Sequence, residues 1–244
     1  MATNSKHIRK FPEVDLVVMK ERYERNINAL TPEENMQLLG FKACVVGCGG
    51  LGGYVIEFLG RLGMGYITAV DGDVFEESNL NRQLLSDENV LGLGKAAVAK
   101  KRMRAVNSEI NITVISEFLT DKNSEKILAG HDIIIDALDN IKTRCIIERE
   151  AQKLKIPLVH GAIAGWYGQV SVILPGFPIF DKIYNEGADK GEEKDIGNLP
   201  FTAAAVASIQ AAEAVKILLG RAGSLSGKML TVDLLSHEYE IFEI

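Results

Sequence analysis

Gly47, Gly49 and Gly52 stand in the spacing G-x-G-x-x-G within "VVGCGGLGGYVIEFLG", residues 45–60. Two apolar residues end a strand before them and an amphipathic helix follows. The backbone there can approach a phosphate that a Cβ would keep away. Asp71 lies nineteen residues beyond Gly52, close to where a dinucleotide site places its ribose-binding acid. These features suit NAD and hydride transfer, and equally another nucleotide. A tight strand-to-helix turn without a ligand is the third alternative.

The residues that follow separate these readings. "DGDVFEESNLNRQ" (71–83) puts Asp71 and Asp73 at a strand end, then Asn79, Arg82 and Gln83 in a polar segment. "GLGK" sets Lys95 at a helix start, where an anion is welcome. "DALDNIKTR" sets Asp136 and Asp139 at the carboxyl end of another strand, the edge at which doubly wound sheets bind ligands. An NAD enzyme has no evident use for an arginine, a lysine and a further aspartate there. A nucleoside triphosphate does: Arg and Lys neutralise phosphate oxygens, and Asp139 could hold Mg²⁺. Taken singly each has a plainer reading. Arg82 could be a surface cation, Lys95 part of a basic helix face, and Asp139 an N-cap. Cys48 could be a reactive thiol at a helix N-terminus, or a small buried hydrophobe.

The elements that must position these residues alternate. Strands are predicted near 43–47, 66–71, 111–117, 132–137 and 157–161, with helices near 51–63, 94–107, 121–129 and 141–155. Nearly all-apolar strands such as "DIIIDAL" mean a parallel sheet covered on both faces. After Gly161 come a short alternating strand "GQVSVILPG", a loop over 180–198, and the Ala-rich helix "PFTAAAVASIQAAEAVKILLG" closed by Gly220. Two strands, "KMLTVDLL" and "EYEIFEI", end the chain. The fold class expected is α/β, a Rossmann-like, doubly wound, mainly parallel sheet with helices on both faces and C-terminal antiparallel strands. Residues 1–40 form an N-terminal helical extension. Pro12 and Pro32 open its segments, and Thr31 with Glu34 makes a capping box. Residues 41–244 form the nucleotide-binding domain, with 161–244 its antiparallel extension and crossover loop.

The chain has 244 residues, 47% hydrophobic and 25% charged, with a net charge of -6, which suits one globular domain with a small extension. Three cysteines with no C-x-x-C pair argue against a disulfide framework and against a cysteine zinc site. They fit a reducing cytoplasm. No apolar run is read as membrane-spanning and no signal peptide is read at the start. The acidic balance makes a nucleic-acid partner an unfavoured expectation.

With "RYERN" (22–26), "GCGGLGG", "DGDVFEESNLNRQ", "GLGK" and "DNIKTR", the chain resembles the ThiF/MoeB/HesA family from about Arg22 to its end. These are bacterial relatives of ubiquitin-activating enzymes. The resemblance implies adenylation of the C-terminal glycine of a ubiquitin-like sulfur carrier ending in Gly-Gly, using ATP and Mg²⁺ and releasing pyrophosphate. By that resemblance Gly47, Gly49 and Gly50 approach the phosphates and Asp71 binds the ribose. Asn79, Arg82 and Lys95 contact phosphates, Asp139 binds the metal, and Asp73 and Gln83 join the nucleotide-binding set. Arg25 reaches the site of the neighbouring subunit in a homodimer.

Two departures stand out. Many members carry two C-x-x-C pairs for zinc, and this chain carries none. No zinc is expected, and its C-terminal strands must be held by packing. Many also carry a crossover-loop cysteine, whereas residues 176–198 have none. Cys145 is read as core, so adenylation without a thioester step is expected, a sulfur-donor protein supplying sulfur. His160 is read as structural, with a place along a carrier-tail channel as the other possibility. Four functions stay open at this point: carrier adenylation, a same-fold enzyme acting on a small carboxylate or a modified tRNA base, an NAD-dependent oxidoreductase, and a non-catalytic scaffold.

Overall fold

The computed structural model describes residues 20–184 and 196–244. Five parallel strands form its sheet first: β1 (Lys42–Val46), β2 (Tyr66–Val70), β3 (Asn111–Ile115), β4 (Ile133–Asp136) and β5 (Leu158–Ala164). β6 (Tyr167–Ile173), β7 (Lys228–Asp233) and β8 (Glu238–Glu243) continue it antiparallel, in the order β3-β2-β1-β4-β5-β6-β7-β8. The chain runs outward from β1 through β2 to β3, then returns to place β4 on the other side of β1. That reversal is the crevice-forming switch point of doubly wound sheets. Register aligns Val46 with both Val70 and Asp136. Gly47, Asp71 and Ala137 therefore leave the sheet side by side.

Alternation along β1 shows how both faces are filled. Ala43 and Val45 join the core under α2 (Gly50–Leu62) and α3 (Lys95–Val106), while Cys44 and Val46 join the opposite one. That second core lies under α4 (Ser124–Leu128), α5 (Ile141–Leu154) and α6 (Phe180–Ile183). The long α7 (Pro200–Leu218) packs on α2 and covers β5 and β6 from the first face. By length and composition α7 is apolar enough to cross a membrane, which the sequence reading overlooked. Half of that stretch is buried in the protein, and it carries buried Gln210 and Glu213.

Several boundaries differ from expectation. The helix read at 121–129 shortens to α4, and the strand read at 111–117 stops at Ile115, leaving Glu117–Leu119 free to line a cleft. The strand read at 157–161 runs on to Ala164 because it pairs with β6 as a hairpin. Ahead of the sheet, Glu21–Asn26 forms a 3-10 turn, and α1 (Pro32–Leu38) opens with the expected capping box of Thr31 and Glu34. Residues 1–19 of the extension and 185–195 of the crossover loop lie outside the described residues. Packing does join the loop's start to the end of the sheet: Ile179 and Phe180 share one apolar core with Met229 of β7.

Candidate active site

A cleft of about 490 Å³ opens at the carboxyl ends of β1, β2 and β4, a size in the range of small-ligand sites. Gly47, Gly49, Gly50, Asp71, Asp73, Arg82, Gln83, Lys95 and Asp139 all line it. The strands bring together nine residues spread over more than ninety positions.

The glycine loop divides by role. Gly47 has φ +96°, and a Cβ on it would lie 2.5 Å from the Ala137 carbonyl oxygen. A Cβ on Gly52 would lie 1.8 Å from the Gly47 carbonyl oxygen. Both are demanded by the protein's own packing. Gly49 and Gly50 are different: the nearest atoms to an added Cβ are 3.4 Å away on Gln83 and 3.8 Å away on Arg82. Among the described residues nothing crowds a Cβ at either position, which opens the loop toward the cleft. α2 starts there with no side-chain cap, so its first N–H groups face the same space.

Around this cradle the charges are ordered. One oxygen of Asp71 accepts the Cys48 N–H at 2.7 Å and the other the Asp73 N–H at 2.8 Å. Burial nonetheless pushes its carboxyl above the usual aspartate range. Lys95, the first residue of α3, is almost buried and pairs with Asp73 at 2.6 Å; that lysine holds the Asp73 carboxyl below its ordinary range against the opposing effect of burial. Arg82 is half-buried and donates to the Ser78 carbonyl oxygen and to Asn81 Oδ1. Two acceptors on the cleft lining, Gln83 Oε1 and Asn198 Oδ1, are buried without a hydrogen-bond partner. Such atoms are costly unless a ligand or water completes them.

Asp139 is not the N-cap of α5. Asn140 takes that role, its Oδ1 accepting the Thr143 N–H at 2.8 Å. Asp139 is left exposed beside the cleft, with its carboxylate committed to no hydrogen bond or ion pair among the described residues. Asn79 departs from expectation in another way. It is buried, does not line the cleft, and its Oδ1 accepts the Glu76 N–H, closing the turn that carries Arg82. Arg25 sits at the far end of α2, where Tyr23 packs under Gly63 and Asn26 donates to the Leu62 carbonyl oxygen. The thirteen residues of α2 span about 20 Å at 1.5 Å per residue. Arg25 is therefore out of reach of its own chain's cleft.

Cys44 and Cys48 are fully buried, and burial pushes the Cys44 thiol up to about 12 and that of Cys48 well above its ordinary value. The small-hydrophobe reading of Cys48 is the one the packing supports. Cys145 is partly buried on α5, and burial raises its thiol too. His160 is fully buried, its Nδ1 2.7 Å from Asp136 Oδ2. Arg144 and Asn198 line the cleft without having been singled out from sequence. Arg144 stood in the quoted "DNIKTR", whereas a lone asparagine after a long loop offers no pattern to read.

A parallel sheet with a glycine loop, a lysine and an uncommitted aspartate at its switch point defines a nucleotide-binding α/β protein. The chain belongs to the ThiF family, whose model matches residues 23–244. It is 34% identical over 228 residues to the "SAMP-activating enzyme E1" of Haloferax volcanii, covering 90% of this chain and 83% of that one. It is 36% identical over 233 residues to the "Sulfur carrier protein adenylyltransferase" of Thermus thermophilus, covering 90% and 85%. Among solved structures, E. coli MccB with MccA-N7isoASN superposes with a TM-score of 0.82 at 21% identity, over 93% of this chain and 72% of that one. This last likeness is one of fold.

Proposed function

We propose that the protein is an ATP-dependent adenylyltransferase that activates the C-terminal glycine carboxylate of a ubiquitin-like sulfur carrier and releases pyrophosphate. The observation that carries this reading is the coincidence of an open glycine cradle, two cations and a free carboxylate at one switch point. The names of the Haloferax and Thermus relatives point to the same chemistry. A carboxylate is already ionised at neutral pH, so its attack on the α-phosphorus needs no general base. It needs alignment and positive charge opposite the phosphate oxygens.

Gly49, Gly50 and the first N–H groups of α2 would take the phosphates. Asp71, its two oxygens oriented by backbone N–H groups, keeps lone pairs for ribose hydroxyls. Gln83 and Asn198 offer their unpaired acceptors. Arg82 and Lys95 would balance charge on the phosphates, Lys95 moving off Asp73 or bridging it to them. Asp139 would hold Mg²⁺, which when bound lowers the negative charge that the incoming carboxylate must approach. The buried state of Cys44 and Cys48 supports adenylation without a thioester. We assign the enzyme to a reducing cytoplasm and to a homodimer in which Arg25 serves the partner's cleft, a reading supported by its distance from its own. A sulfur-donor protein would then act on the adenylate.

Carrier-dependent ATP–pyrophosphate exchange tests this. Lys95→Ala and Asp139→Ala should each lower exchange by about a hundredfold or more, the usual effect of deleting one preorganised charge contact, with folding retained. Exchange within twofold of wild type in either variant removes that residue from the mechanism. Tight NAD binding with no response to ATP overturns the reading altogether.

A further inference from the structure

Behind the cleft wall lies a partly buried chain of hydrogen bonds that the adenylation reading does not use. The Arg144 guanidinium donates through Nη1 to the Tyr184 hydroxyl at 2.9 Å and through Nη2 to the Leu138 carbonyl oxygen at 2.5 Å. Its Nε lies 3.4 Å from Asp136 Oδ2. The Tyr184 hydroxyl is 3.2 Å from His160 Nε2, and His160 Nδ1 is 2.7 Å from Asp136 Oδ2. Asp136 in turn accepts the Leu138 N–H through Oδ1 at 3.0 Å. The Gln169 amide stands 3.3 Å from His160 Nε2.

One assignment of protons satisfies this chain. Burial holds the His160 imidazole below its ordinary pKa, hence neutral, and pushes the Tyr184 hydroxyl up to about 12, hence protonated. A carboxylate only accepts, so Nδ1–H of His160 donates to Asp136 and Nε2 is left as acceptor. The Tyr184 hydroxyl, the nearer of the two groups at Nε2, then donates to it while accepting from Arg144. The donations from Arg144, Tyr184 and His160 run in one direction and end on the Asp136 carboxylate, which also accepts the Leu138 N–H. Leu138 is gripped at its N–H by Asp136 and at its C=O by Arg144, and the next residue is Asp139.

We propose that Tyr184 and His160, neither of which lines the cleft, are positioning residues that hold Arg144 and thereby set where the Asp139 carboxylate stands for metal-bound nucleotide. This rests on the adenylyltransferase reading, in which Asp139 is the metal residue. Nothing in the sequence pairs these residues: Tyr184 and His160 stand twenty-four positions apart, on α6's end and on β5. Only the antiparallel return of the chain through β6 brings the tyrosine back over the histidine.

The test is calorimetric and needs no carrier. ATP affinity is measured with Mg²⁺ and again in EDTA, and the ratio of the two is compared across variants of the full chain. In Tyr184→Phe that ratio should fall by about tenfold or more, the usual effect of removing a partner that orients a metal-binding group. Affinity in EDTA should stay within twofold. His160→Asn, which keeps a donor toward Asp136 and removes the acceptor for Tyr184, should change the ratio in the same direction. It decides the question should Tyr184→Phe not fold. A folded variant with reduced Tm and an unchanged ratio shows a merely structural tyrosine and overturns the inference alone. Wild type that binds ATP no better with Mg²⁺ than without overturns the metal role of Asp139, and the adenylation reading is the part that fails.

Discussion

At the scale of single residues, the four loop glycines make separable predictions because only two are needed by the fold. Gly52→Ala puts a Cβ against the Gly47 carbonyl oxygen at 1.8 Å, a backbone clash that no rotamer relieves. It should cost more than about 4 kcal/mol and give little folded protein. Gly50→Ala has room beside Arg82 and lies in the first turn of α2. It should stabilise the fold by up to about 1 kcal/mol, since glycine is a poor helix former. The same methyl group should weaken ATP by at least about tenfold, equivalent to 1.4 kcal/mol. Thermal unfolding and ATP titration of the pair check both halves. Loss of affinity without loss of stability in Gly50→Ala marks the cradle. Unchanged ATP affinity in that variant would return Gly50 to ordinary helix-start duty.

At the scale of elements, α6 shows how a four-residue helix without a side-chain cap is kept in place. Glu148 of α5 is buried and accepts the N–H groups of Ile179 and Phe180 at 2.7 and 3.0 Å. Burial raises its carboxyl despite those two bonds. Gln152, one turn on, takes the Gly176 N–H and donates to the Leu174 carbonyl oxygen. This face of α5 thus fastens the segment from β6 to Tyr184. Glu148→Ala strands two buried donors and should cost about 2 to 4 kcal/mol, one desolvation penalty each. Hydrogen exchange should locate the loss at residues 176–184 and not in β1 or β2. Uniform protection throughout the variant would show that apolar packing of Ile179 and Phe180 holds α6 without the glutamate.

At the scale of the whole molecule, the site as proposed is incomplete in one chain, because Arg25 is a full helix length from the cleft. Subunit mixing measures whether a second copy completes it. Arg25→Ala and Lys95→Ala homodimers should each be nearly inactive. After mixing and re-equilibration roughly half of the dimers are hybrids by symmetry statistics. If Arg25 acts across the interface, each hybrid has one cleft with both residues and one with neither. Activity then returns to about a quarter of wild type, half the dimers times half their sites. Subunit exchange demonstrated by mass spectrometry without any return of activity rules out action in trans, and a fully active Arg25→Ala leaves it a surface arginine.

Local chemistry made much of this legible in the chain itself. Apolar strand runs, the Thr31–Glu34 box and the glycine spacing act within a few residues, and each appears where its local rule puts it. Nine of the cleft residues could be named because strands of a doubly wound sheet end at one edge whatever lies between them, whereas Asn198 could not. Tertiary structure alone decided the rest. Asp139 and Asn140 are both good caps, and the start of α5 at Ile141 leaves the first free and commits the second. Gly49 and Gly52 look alike in sequence, and their difference is the distance to a carbonyl oxygen. The pairing of His160 with Tyr184, and the use of Asn79 as a turn closure, depend on contacts between segments whose separation along the chain carries no period. A pattern can reveal which face a residue takes; which atom meets it there is set by the packing of the remainder of the chain.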